Sequence, residues 1–268
     1  MPITTLDAAL AGMQYPREIV KAATGTLVAG RPHSLLYTAG QPGAGIAPVT
    51  GLSGAPLTTY PGQIPFTNPA AGKNSYLARL QGQATQAGTL LLCDRLWHNS
   101  GLDLTSLAEQ VFPAAALIPA RDSNGAQVGD GVFAALEVHS LTGAGVPTLT
   151  LKYTNTLGAD AVAVNVTLTV AASIAGSFYP IGLAAGDVGM QRAQSLTLSA
   201  SWTSGAAGIV LYRPIARLEL TGAQVPNAID ALTGGFPRLF DNTVPFFVFI
   251  PNTTTSSNVV AQMIVSQG

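Results

Sequence analysis

A mainly β fold, a β-sandwich or jelly-roll-like domain with an extended N-terminal arm, is predicted by three observations. From residue 74 onward apolar residues alternate with period two in about nine runs. Clusters of Gly, Asn, Pro and Ser separate those runs, and helical periodicity is nearly absent. Many short strands with glycine-rich turns give a sandwich, a jelly roll or a barrel. No fixed-length repeat points to a propeller or solenoid.

The arm is taken as residues 1–72 and the β-domain as residues 73–268. Thr4-Thr5-Leu6-Asp7 is a cap signal for one short helix ending near Met13. Residues 1–72 hold nine of the eighteen prolines and ten of the 29 glycines, and Pro32 through Gly72 carry no charge. Proline has no N–H to donate, so long ladders are excluded there. Leu35, Leu36, Tyr37, Tyr60 and Phe66 make the stretch too apolar for a disordered linker. It is expected to lie on a surface, either its own β-domain or a neighbouring subunit.

The strands follow in order. Ser75–Gln83 alternates through Tyr76, Ala78 and Leu80. Thr89–His98 is apolar on both faces, as a strand covered on two sides would be. Val132–Leu141, Thr148–Thr154, Ala161–Val170, Ser195–Thr203 and Gly208–Leu220 continue the pattern, with Pro214 breaking or bulging the last of these. Pro245–Ile250 and Asn258–Ser266 close the chain. One helical interruption is expected at Pro226–Leu232, ended by Gly234-Gly235.

Charge is scarce. Twelve basic and thirteen acidic residues make up 9% of the 268 residues, against about 25% in an average soluble protein. A net charge of −1 with no basic run argues against a nucleic-acid partner. No apolar stretch reaches the ~18 residues of a membrane helix, so no membrane partner is expected. The opening MPITTLDAAL shows no basic segment followed by an apolar one, so no secretion signal is expected. The single cysteine, Cys93, cannot form an intrachain disulfide. Residues 161–186 and 242–268 are charge-free, like residues 32–72. Strands Ala161–Val170 and Asn258–Ser266 therefore lack the edge charges that block sheet-to-sheet association. Surface of this kind is expected to be covered by another protein.

Motifs for chemistry are absent, and no enzyme, cofactor or metal is predicted. In Cys93-Asp94-Arg95-Leu96-Trp97-His98, Asp94 and His98 would stand about 13 Å apart on one strand face. Cys93 and His98 would fall on opposite faces. The run is better read as a strand end anchored by its aromatic residue. Asp122-Ser123-Asn124-Gly125 with Asp130 has glycine fourth and alanine fifth, which fits a tight turn better than a calcium loop. The sequons at Asn165 and Asn252 are read as chance.

Four segments carry a family resemblance: Leu36-Tyr37-Thr38-Ala39-Gly40; Thr89 through Gly101; Leu183-Ala184-Ala185-Gly186-Asp187 leading to Ser195-Leu196-Thr197-Leu198; and Ile229 through Leu239. With them the chain resembles virion structural proteins of tailed bacteriophages, encoded among head and tail genes. The resemblance implies a virion component, preferably a head decoration (cement) protein on the phage head surface. Its partners would be the major capsid protein and copies of itself, as a dimer or trimer. A tail, neck or baseplate protein is the alternative. A host-glycan-binding module is another, if Trp97, Tyr153, Trp202 and Tyr212 formed an exposed stacking surface. A glycan hydrolase ranks last, since no spacing selects two carboxylates about 5–9.5 Å apart. The resemblance supplies no catalytic residue. The candidate interface residues are Leu35, Leu36, Tyr37, Tyr60 and Phe66 in the arm, and Arg238, which is placed to anchor a loop.

Overall fold

The structure, a computed structural model, describes residues 3–22, 24–113, 116–168 and 172–268. Strands hold 42% of the chain and helix 3%, giving a β-sandwich or jelly-roll-like fold. In chain order the elements are α1 (Leu6–Ala11), β1 (Arg17–Lys21), β2 (His33–Ser34), β3 (Gly40–Gln41), β4 (Ala55–Pro56), β5 (Ser75–Ala84), β6 (Gly88–His98), β7 (Gln110–Val111), β8 (Phe133–Ser140) and β9 (Thr148–Asn155). Then come β10 (Asp160–Val162), β11 (Val166–Thr167), β12 (Phe178–Ile181), β13 (Met190–Leu198), β14 (Ala206–Leu220), β15 (Asn227–Asp230), β16 (Arg238–Leu239), β17 (Pro245–Pro251) and β18 (Val259–Gln267).

The chain forms two compact units. The first holds Met1–Gly45, Thr59–Asp94 and Pro214–Gly268, and the second holds Ile46–Thr58 and Arg95–Arg213. β6 and β14 contribute to both, and for β14 the division falls between Arg213 and Pro214.

In the first unit one sheet has the order β15-β5-β18-β1-β3, with β16 also on β5. The first half of β6 pairs with β17, and β17 with β2. Their inner faces share one core that includes Ile19, Leu80, Leu90, Phe247, Phe249 and Met263. Alternation explains the layering: on β5, Leu80, Gly82 and Ala84 are buried while Arg79 is exposed. Thr5 caps α1, its hydroxyl accepting from the Ala8 amide at 3.1 Å.

In the second unit a sheet of order β10-β9-β13-β7, with β11 also on β9, shares a core with β8 and the first half of β14. β12 pairs with β8, and β4 with the end of β6. Trp97, Tyr153 and Trp202 are fully buried in that core.

Several expectations are corrected. Residues 226–232 form β15 and a turn, not a helix. Ala228 pairs opposite Gln81 of β5, and the Asp230 carboxylate accepts from the Leu232 and Thr233 amides at 3.0 Å. So short a segment satisfies more backbone groups on a sheet edge than as an isolated helical turn. Residues 259–267 are no edge: β18 lies between β5 and β1, both ladders paired, and needs no edge charge. The run from 161 is divided into β10 and β11, and Val170 lies outside the described residues. Ala161 pairs opposite the buried Tyr153 and Val162 opposite the exposed Lys152, so Ala163 is buried and Val162 and Val164 face solvent. The strand expected at 195–203 begins earlier, at Met190, and ends at Leu198.

Candidate functional site

The arm residues come first, because they were expected to touch other chains. From residue 24 to residue 74 the chain runs through loops and turns, with only short paired strands and one 3-10 turn at Leu35–Tyr37. Of the two surfaces it could lie on, its own β-domain takes much of it. Leu35 and Leu36 are each 1% exposed, and Leu35 joins the core of the first unit with Ile64. They are core residues, not contact residues, because the Ser34 hydroxyl caps a 3-10 turn over Leu35–Tyr37 that turns both leucines inward. Tyr37, Tyr60 and Phe66 are half-buried, and Phe66 packs against the same core. Arg238 is exposed. Its Nη2 donates to Asn74 Oδ1 at 2.6 Å, and its guanidinium lies 4.8 Å from the centre of the Phe240 ring. These six positions form no single cluster around a ligand.

The aromatic residues considered for glycan stacking are also corrected. Trp97, Tyr153 and Trp202 are 0% exposed and Tyr212 is 7% exposed. Trp202 Nε1 donates to Gly145 O at 3.0 Å, and the Tyr153 hydroxyl donates to Asp187 at 2.5 Å. The polar tips of Trp202 and Tyr153 meet protein partners, as those of buried aromatic residues commonly do, whereas Trp97 Nε1 is buried without one. Burial and the Asp187 carboxylate push the Tyr153 hydroxyl up to about 12.

A charged network is buried in the second unit, and local spacing gave no sign of it. Arg95 and Glu137 are both fully buried on β6 and β8, with Arg95 Nη2 donating to Glu137 Oε2 at 2.6 Å. Arg95 Nε donates to His98 Nδ1 at 3.2 Å, and His139 Nε2 lies 3.7 Å from Glu137 Oε2. An accepting Nδ1 means that His98 is neutral with its proton on Nε2. Burial and the neighbouring Arg95 cation hold its pKa down to about 3. For Glu137 burial acts upward, but Arg95 and His139 outweigh it and hold the carboxyl well below the usual range. Gly208 gives the network room: a Cβ there would stand 2.2 Å from Asn99 O and 2.9 Å from His139 Cε1. Arg121, also buried, ties the chain around the network by donating to Leu57 O at 2.8 Å and Arg95 O at 3.2 Å. The network is closed to solvent, and its hydrogen bond between Arg95 and Glu137 ties β6 to β8.

The loop at 122–130 is a turn held from inside. Asp122 Oδ1 accepts from the Asn124 and Ala126 amides at 2.9 and 2.8 Å, and Oδ2 accepts from Gly129 at 3.1 Å. Three backbone donors therefore fill the carboxylate that a cation would need. Among the described residues no group of three or more His, Cys, Asp or Glu is arranged to hold a metal. Cys93 is buried, and Asp94 Oδ1 accepts from the Val244 amide at 2.9 Å.

The surface is the remaining candidate. Seven charged residues, Lys21, Asp94, Arg95, Arg121, Asp122, Glu137 and Arg213, are buried. The other eighteen are spread over 10,845 Å² of accessible surface, about one per 600 Å². Among the described residues twenty large hydrophobic side chains are more than a third exposed, including Leu6, Tyr15, Val49, Leu157 and Leu232. The β10/β11 edge of the second unit adds Val162 and Val164, 53% and 58% exposed, and its one charged residue is Asp160 at the start of β10. No helix among the described residues is long and apolar enough to cross a membrane.

No protein family matches the sequence, and no curated protein matches it. Two of the solved structures it is similar to come from infectious bursal disease virus. One is the VP2 subviral particle, at 9% identity over 95% of this chain and 80% of that chain, with a TM-score of 0.18. The other is the Gt strain structure, at 12% identity over 94% and 81%, with a TM-score of 0.16. Likeness at that level carries no argument about this chain.

Proposed function

We propose that this chain is a structural component of a virus particle, and within that class a bacteriophage capsid decoration (cement) protein bound to the outer head surface. The observation that carries the reading is the surface itself: few charges, many exposed apolar side chains, and a sheet edge at β10/β11 whose one charged residue is Asp160. Free soluble proteins keep such patches small. Contact surfaces accept them, because Ser, Thr and apolar groups are covered without desolvating a charge. The sequence resemblance to phage virion proteins supports the same class. The partners are the major capsid protein and further copies of this chain, arranged as a dimer or trimer about local axes. Many modest contacts repeated over a lattice add up to firm attachment. The chain works by association and not by chemistry.

The fold changes the experiment that tests this. Removing residues 1–72 would take β1 from between β18 and β3, and Leu35 from the core. Counting copies per purified particle leaves the fold intact. Hundreds of copies agree with decoration of the head. A few dozen or fewer would place the chain in the tail, neck or baseplate instead, and absence from the particle would refute both.

A further inference from the structure

The outward face of the β15-β5-β18-β1 sheet holds a groove of about 590 Å³, lined entirely by the first unit. Its depth comes from Ala228, which pairs opposite Gln81 on the same face and leaves room that a larger side chain would fill, while Gly82 and Ala261 form its backbone floor. Its polar groups come from three adjacent strands in register. Glu18 pairs with Gln262, and Gln262 with Gln81. Gln81 Nε2 donates to Gln262 Oε1 at 3.0 Å, and Gln262 Nε2 donates to a Glu18 carboxylate oxygen. This row fixes how each amide points before any ligand arrives. A primary amide has two N–H donors and a carbonyl acceptor, so each glutamine keeps hydrogen-bonding capacity beyond the row. Gln83 and Arg79 flank it on β5, and Val260 and Pro226 add apolar patches.

We propose that this groove binds a neutral oligosaccharide of two to four sugar units. Glu18 and Arg79 cancel, so there is no net charge to select a phosphate or a metal cation. A purely apolar ligand would cover the glutamine amides without satisfying their remaining hydrogen-bonding groups, which costs free energy. Hydroxyl groups donate and accept together, as the amide row does, while sugar C–H faces suit Val260 and Pro226. A few neutral hydrogen bonds in an open groove support a Kd on the order of 1 mM per site. Display of many copies on one surface would multiply that. The inference stands independently of the virion reading.

The test uses the full-length protein, isotope-labelled, titrated with neutral disaccharides and tetrasaccharides and with sialylated ones for comparison. Neutral saccharides are expected to shift the side-chain amide signals of Gln81, Gln83 and Gln262. Gln81→Ala and Gln262→Ala should each weaken binding about tenfold, while Thr150→Ala in the second unit leaves it unchanged. Gln262→Met keeps the side-chain volume if the alanine variant unfolds, and it should weaken binding to the same degree. No neutral saccharide bound at about 20 mM, binding only of sialylated sugars, or binding indifferent to the glutamine variants would overturn the proposal.

Discussion

Replacing Glu137 with leucine leaves the Arg95 guanidinium charged in a site where both side chains are fully excluded from solvent and 2.6 Å apart. Breaking a buried pair from one side costs about 3–5 kcal/mol, because the remaining charge has no water to return to. For a unit of this size that is a loss of roughly 10–20 °C in Tm. The assay is selective by composition. Both tryptophans, Trp97 and Trp202, lie in the second unit and are fully buried, so their fluorescence follows the unfolding of that unit. Removing both charges with Arg95→Met and Glu137→Leu should recover most of the loss, since a packed apolar pair is often as stable as the ion pair. A single variant that loses less than about 1 kcal/mol, or a double variant as unstable as the sum of its parts, would refute the reasoning.

Three further outcomes are expected. Tryptophan-monitored stability should fall as pH drops from about 6.5 toward 3, because the unfolded chain protonates His98 while the folded chain keeps it neutral down to about 3. The slope is at most about 1.4 kcal/mol per pH unit, with Glu137 adding in the same direction below its ordinary range, and a flat profile over that window contradicts the network described. Asp122→Ala removes the acceptor of three backbone amides and should destabilise the second unit by about 2–3 kcal/mol, with faster hydrogen exchange at Asn124, Ala126 and Gly129; unchanged exchange there refutes the turn mechanism. Val162→Lys with Val164→Lys places charges on an exposed edge, so it should weaken self-association in sedimentation without moving the tryptophan-monitored Tm, and unaltered association would remove β10/β11 from the contact surface.

Much of the fold was legible because strand alternation is a local signal. β5, β6, β9 and β17 sit within two residues of their expected limits, since their apolar faces repeat every second residue. β1 and β2 were not foreseen: they are short, lie among prolines, and owe their existence to partners more than 200 residues away in β18 and β17. The charge-free run at 258–266 was ambiguous for a related reason. A strand lacks charges when it is an exposed contact edge or when it is central, and only the pairing of β18 on both sides separates the two. Arg95 and Glu137 lie 42 residues apart and meet only because β6 and β8 bring them into one core. Gln81, Gln262 and Glu18 form a row across three strands that no spacing rule connects. Trp97 and Trp202 read from sequence as core more readily than as stacking platforms, and their full burial agrees with the core reading.

Sedimentation of the purified 27.3 kDa chain, alone and mixed with phage heads stripped of their accessory proteins, tests the association claim most directly. A dimer or trimer mass in solution, together with saturable attachment to the heads, is the predicted result. A monomer at every concentration that leaves the heads bare would contradict it.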